Sequence, residues 1–390
     1  MRVFWCARAS ILLVMSLAVV MFGCQPRAPK FVSGSPDVPE VSAASLVKVV
    51  RALGMDEGQR AAAAELHGEY ARAHDAAARK YRDFMAQAER LIESTGGDKR
   101  LIVRREEGTL TFARHAQTLA ERFLDDLRLT LTSEQAKRWE EGERALRRSR
   151  SIGAAHAERT ADLGEAVEGV LGDVDAAVRA EVEKAVRGWE EAIDPVIVRK
   201  EAFIRTVPSR ELEAARKDVD DPPSKAFREW RVIVREERLA TQRGAREVAA
   251  LLPEGARESL ERAVQERLYP WLFETSEAAG VLRRAGALEG LSARAKEEVA
   301  ALRRELGVEE RALAGEAARA LDAWERTATE EEIGAGPPPE LNPDLVRRYH
   351  AAEARVGARL REVLTMEQFD DVKAGSITRD LPALRFDDDR

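Results

Sequence analysis

Apolar side chains recur at helical spacing through the long interior stretches of this 390-residue chain, and that periodicity leaves little choice of fold. Leu66, Tyr70, Ala77, Tyr81, Phe84 or Met85, and Leu91 fall on one helix face. The stretch behind them offers Ala113, Ala116, Ala120, Phe123 or Leu124, Leu127 and Leu131. Glycine and proline gather in a few places, and between them lie uninterrupted stretches of 30 or more residues with good helix propensity. A narrow stripe must be covered by another stripe, and the two arms should fold back on each other as an antiparallel hairpin. The pattern returns when Val299, Leu302, Leu306, Leu313, Ala320 or Leu321 and Trp324 are set against Leu345, Tyr349, Ala352, Val356, Leu360 and Leu364. An arm of about 35 residues would be about 52 Å long, which makes the core thin. Charged residues at 34% and aromatic residues at 5% suit ion-paired helix surfaces over such seams, and no strand-like alternation stands out. The expected fold is all-α, built from long antiparallel hairpins with coiled-coil-like seams.

Landmarks repeat along the chain and divide it into about three tandem modules. The first opens at Leu53-Gly54-Met55-Asp56-Glu57-Gly58-Gln59, turns at Ser94-Thr95-Gly96-Gly97-Asp98 and closes at Leu131-Thr132-Ser133-Glu134-Gln135. The second runs from Leu171-Gly172-Asp173, through a break from Val207-Pro208 to Pro222-Pro223, to Leu252-Pro253-Glu254. The third runs from Leu288-Glu289-Gly290-Leu291-Ser292, through a break from Gly334 to Pro343, to Leu364-Thr365-Met366-Glu367-Gln368. The expected boundaries are 45–160, 161–275 and 276–375, with an acidic tail at 376–390. Proline inside a helix costs about 3 kcal/mol, so the middle module should kink or break at Asp194-Pro195.

The N-terminus carries Arg2 and Arg8 before an uncharged apolar run from Ile11 to Phe22. A spanning helix needs about 20 apolar residues, so this shorter run reads as an export signal that is cut off. Met21-Phe22-Gly23-Cys24 resembles the lipobox of bacterial lipoprotein precursors, in which a small residue precedes the cysteine that is acylated and becomes residue one. The resemblance implies a signal peptide over 1–23, lipidation of Cys24, and a membrane held through acyl chains. Gln25 in place of an aspartate implies sorting to an outer membrane, facing the periplasm, in a cell that has one. An ordinary secretory signal with Cys24 unmodified is the alternative. Cys6 leaves with the signal, so Cys24 has no internal disulfide partner, and an acyl group accounts for its presence. Pro26, Pro29, Pro36 and Pro39 keep residues 24–44 extended as a spacer between membrane and domain.

Leu131-Thr132-x-x-Gln135 and Leu364-Thr365-x-x-Gln368 resemble the LTxxQ motif of the Spy/CpxP family of periplasmic helical proteins. The opener Met55-Asp56-x-x-Gln59 is similar, with Met for Leu and Asp for Thr. Thr132 and Thr365 are placed to N-cap the next helix, with Glu134 or Gln135 supplying the second half of a capping box. The resemblance implies a chaperone-like role, in which hairpins cradle unfolded polypeptides.

Other functions find little support in the residues. The chain is acidic, with a net charge of −7, and binding a phosphate backbone needs a basic face, so nucleic acid is not an expected partner. His67 and His74 are seven positions apart, about 10 Å along a helix, too far for one ion; neither metal nor cofactor is expected. There is no GxxxxGK, HExxH or GxSxG pattern, and no catalytic residue is assigned. Trp139, Trp189, Trp230, Trp271 and Trp324 are expected to widen the thin seams. The expected function is a non-enzymatic envelope lipoprotein that binds proteins or unfolded polypeptides through apolar patches rimmed by arginine. The alternative is a structural spacer or scaffold.

Overall fold

The computed structural model describes residues 41–153, 162–172, 174–217, 223–273, 276–335 and 343–377. Among them the chain forms fourteen α-helices, one 3₁₀ turn (Pro270–Leu272) and no strand. The helices are α1 (Ala43–Leu53), α2 (Glu57–Ser94), α3 (Lys99–Leu129), α4 (Ser133–Lys137), α5 (Trp139–Gly153), α6 (Leu163–Glu168) and α7 (Ala176–Lys217). They continue as α8 (Pro223–Leu251), α9 (Glu254–Leu268), α10 (Glu277–Gly286), α11 (Ala293–Thr327), α12 (Glu330–Ala335), α13 (Pro343–Val363) and α14 (Met366–Ile377). None is long and apolar enough to cross a membrane. The fold is all-α. The residues cluster into two units, one running to Leu268 and including Ala328–Gly336, the other formed by Tyr269–Thr327 and the chain from Pro337.

In the first unit, α2 and α3 form the first hairpin at the turn expected from sequence. Gly96 and Gly97 take φ of 66° and 92°, which side chains disfavour, and Asp98 accepts the Arg100 N–H to start α3. Rings build the seam: Tyr70 stacks on Phe123 at 5.3 Å and Tyr81 on Phe112 at 4.5 Å. Phe112 takes the inward position assigned to Ala113, and Leu91, expected in the seam, is 42% exposed close to the tip of the hairpin. His67 lies 3.0 Å from the Val41 carbonyl, and His74 is buried between Tyr70 and Phe112, so both serve as part of this seam.

The middle of the chain departs from expectation. Helix α7 continues through both Pro195 and Pro208 to Lys217, so the break expected from Val207-Pro208 starts only beyond Lys217. Pro195 lies on the exposed face, where water can satisfy the carbonyl that loses its partner. On the other face Ile193, Ile197, Phe203 and Val207 are buried, Phe203 and Val207 in one cluster with Trp230, Ile233 and Val234 of α8. Burying these four side chains, at about 1.5–3 kcal/mol each, offsets the cost of about 3 kcal/mol for each of the two prolines.

Helix α7 packs against α3 and α5 as well as α8, so residues assigned to the first and second modules share one compact unit. Arg147 grips Asp194 with two bonds of 3.0 and 2.8 Å, and Arg148 meets Glu190 at 2.7 Å. Deeper in the unit, the Lys200 ammonium lies 2.6 Å from the Glu237 carboxylate, both side chains buried.

The second unit contains the third hairpin, α11 against α13, with α10 and α14 beside it. Val299, Leu302 and Leu306 share a core with Ala352, Val356, Leu360 and Leu364, as the stripes required. The break in this hairpin starts at Thr327, ahead of the expected Gly334. Residues 328–336 belong to the first unit, where Ile333 is buried on α12 and Arg231 of α8 donates to the Gly334 carbonyl at 3.1 Å.

Candidate binding site

The motif residues form a joint. Thr132 N-caps α4 by accepting the Gln135 N–H, and the Gln135 amide oxygen accepts the Thr132 N–H at 3.0 Å. Asp56 and Gln59 make the same capping box at the start of α2. The two glutamines then meet each other, Gln59 Nε2 donating to Gln135 at 2.7 Å and Gln135 Nε2 to Gln59 at 2.9 Å. Each also donates to a carbonyl two residues ahead of the opposite cap, Gln59 to Thr130 at 2.9 Å and Gln135 to Gly54 at 3.2 Å. Opener and closer bond to each other reciprocally, and the pair ties both ends of the hairpin base together. Leu131 packs against the core cluster that contains Met55.

In the second unit Thr365 and Gln368 make the capping box of α14 at 3.0 and 3.2 Å, above a buried Leu364. Its opener has Ser292 as cap but Ala295 where Gln59 stands, so no reciprocal pair forms. Both motifs act in helix starts and hairpin closure. Cys24 and the tail segment 378–390 lie outside the described residues.

A groove of 830 Å³ between α10 and α11 has a different character. Its rim consists of Arg283, Lys296, Arg303, Arg304 and Arg311. Its floor is apolar or small: Leu282, Val299, Ala300, Gly307 and Val308, the last 63% exposed. No carboxylate lines it.

The charge on this face follows from how α11 is packed. Its other side carries Glu298, Glu305, Glu309 and Glu316, all ion-paired with arginines of α13. Glu309 meets Arg355 at 2.6 Å and Glu316 meets Arg348 at 2.7 Å, while Arg359 reaches Glu298 and Glu305 at 3.1 and 3.0 Å. The acidic ridge of the helix is thereby neutralised, and among the described residues the basic ridge has no ion-pair partner. None of the five rim cations makes an ion pair among the described residues; the Arg311 guanidinium folds back over Gly307, within Coulombic reach of Glu310.

Sequence reasoning did not single out these five residues, although a signal was present. At three and four positions either side of Lys296, Arg303, Arg304 and Arg311 there is no Asp or Glu. Elsewhere arginines sit near carboxylates on their own helix, as Arg144 does to Glu140.

A further polar cluster in the second unit joins Glu277, Glu310, Glu353 and Tyr349. Burial, then the negative charge of Glu277 and Glu310, pushes the Glu353 carboxyl up to about 7. In the first unit burial and the neighbouring Glu106 raise Glu211 to about 7, and burial lowers the His74 imidazole. Among the described tryptophans Trp271 is the exposed one, 43% accessible, with its ring edge-on to the buried Tyr269.

Compared with protein families, with curated proteins and with solved structures, the chain matches none.

Proposed function

We propose that this chain is a non-enzymatic lipoprotein of the cell envelope, exported, held to a membrane through Cys24 and able to bind other polypeptides in the manner of a Spy-like holdase. The observation that carries the binding role is the groove, in which uncompensated cations surround an exposed apolar floor. The Gln59–Gln135 joint supports kinship with LTxxQ proteins, because the motif there does a defined mechanical job.

In the test, the secreted chain carrying Cys24→Ser is mixed at equimolar ratio with a thermally unfolding client, and light scattering is followed. Slowed aggregation is the expected result; scattering unchanged across several clients would end the holdase reading. Anchoring is tested separately by metabolic labelling with a tagged fatty acid, which should mark the native chain and not the Cys24→Ser chain.

The second reading is a spacer or scaffold, favoured by the 38-residue helix α2 and the cross-paired charges on α11 and α13. It predicts that no client binds.

A further inference from the structure

We infer that the groove between α10 and α11 is a receptor for an acidic amphipathic helix presented by a partner polypeptide. The inference rests on the polypeptide-binding reading and narrows it to one chemistry and one conformation.

Length comes first. The lining positions of α11 run from Lys296 through Val299, Arg303 and Gly307 to Arg311, a single stripe at helical spacing. Fifteen steps separate its ends (311 − 296 = 15), about 22 Å at 1.5 Å per residue, which is four turns of helix. The shorter α10 lines the groove through Leu282, Arg283 and Gly286, and Ala287 follows at its C-terminal end.

Conformation follows from the walls. Both are α-helices, whose interior N–H and C=O groups are already bonded to each other, so the groove has no edge to pair with an extended strand. An occupant must satisfy its own backbone, as a helix does. The floor suits one: Ala300 on α11, Gly286 on α10 and Ala287 just after α10 carry almost no side chain. Small residues at a helix crossing let the axes approach to about 8 Å.

Charge decides the occupant's flanks. Five cations stand on the rim, no carboxylate lines the groove, and the acidic side of α11 is committed to Arg348, Arg355 and Arg359. In a chain of net charge −7 this is a local reversal of sign. The complementary helix carries Leu, Val or Ala at i, i+3, i+4 and i+7 for the floor, and Glu or Asp on both flanks for the rim. Rim charges of this kind set specificity and salt dependence.

The experiment uses the secreted chain with Cys24→Ser and fluorescence anisotropy of labelled peptides of about 18 residues, roughly five turns. One peptide has Leu on the inner face and Glu on the flanks. A second replaces Glu by Lys, and a third keeps Glu but replaces Leu by Ser. Expected is saturable binding of the first, weakened by added salt, with both others weaker by at least about tenfold. Arg303→Glu with Arg304→Glu should weaken the first peptide by a further tenfold or so. Both positions are exposed, and circular dichroism checks that the fold is kept. Arg303→Gln with Arg304→Gln, which adds no new charge, should lie between.

Equal binding of the Glu and Lys peptides overturns the inference. So does binding unaffected by either double variant, and so does variant-sensitive binding to vesicles of phosphatidylglycerol and phosphatidylcholine without peptide binding, which would make the face a lipid contact. Client aggregation measured in parallel separates the two proposals. If the native chain and the Glu variant slow it equally, the holdase reading stands and the groove assignment falls. If neither slows it while the first peptide binds, the reverse holds.

Discussion

Replacing Gln135 by alanine removes more than a surface amide. The side chain accepts the Thr132 N–H at 3.0 Å, donates to the Gly54 carbonyl at 3.2 Å and exchanges bonds of 2.7 and 2.9 Å with Gln59. A neutral hydrogen bond contributes about 1 kcal/mol net, and the exposed ones less because water replaces them. Counting the half-buried pair fully and the cap and carbonyl bonds in part, Gln135→Ala should cost about 2 kcal/mol, and Gln59→Ala about the same. The pair is lost only once in the double variant, so a double-mutant cycle should return a coupling of about 1–2 kcal/mol. Gln368→Ala supplies the control: it loses a capping box without a facing amide and should cost about 0.5–1 kcal/mol. Urea unfolding followed by circular dichroism gives all four free energies. Strict additivity of Gln59→Ala and Gln135→Ala, within about 0.3 kcal/mol, would refute the joint and reduce each glutamine to a local cap.

Four other substitutions probe the packing and the charges. A Cβ added at Gly244 would come within 2.7 Å of the buried Trp189 ring, so Gly244→Ala should destabilise the first unit by about 1–3 kcal/mol; an unchanged thermal midpoint contradicts that contact. Lys200→Met leaves Glu237 buried without its ammonium and should cost about 3–5 kcal/mol, whereas Lys200→Met with Glu237→Leu should recover most of the loss in the same unfolding assay. Acid and alkali should act oppositely on different groups. Glu211 and Glu353 sit at about 7 when folded against 4.5 unfolded, so the stability they contribute is complete below pH 4.5 and is lost as pH rises to 7. Glu353→Gln should therefore flatten that slope, as urea midpoints at pH 5 and 7.5 will tell. His74 has the contrary sign: its folded pKa lies below 6.5, so stability falls as pH drops through that value, and His74→Phe should abolish the fall. An acid limb identical in native and His74→Phe chains would place the titration elsewhere.

Much of the architecture was legible because it is local. The turn at Gly96 and Gly97, the caps at Asp56, Thr132 and Thr365, and the facing stripes of the first and third hairpins depend on residues a few positions apart. Where local rules failed, a distant partner had intervened. Pro195 and Pro208 should have ended α7, but the packing of its buried face against α8 kept the helix whole. Two modules that look alike in sequence became one unit because α7 packs on α3 and α5 as well. The segment at 328–336 has its own cap at Thr329, yet its place in the first unit follows from contact with α8.

The groove draws the same line within a single helix. The chain by itself determined that α11 carries glutamates on one face and basic residues without nearby carboxylates on another, since both are matters of spacing along 35 residues. Only the tertiary structure decided which charges remain available. Arg348, Arg355 and Arg359, from 32 to 61 positions away, neutralise the acidic ridge, while the short α10 leaves the basic ridge open over an apolar floor. Periodicity reports which side chains share a face; it is the packing of another helix that decides whether the charge on that face is cancelled or left to meet a partner.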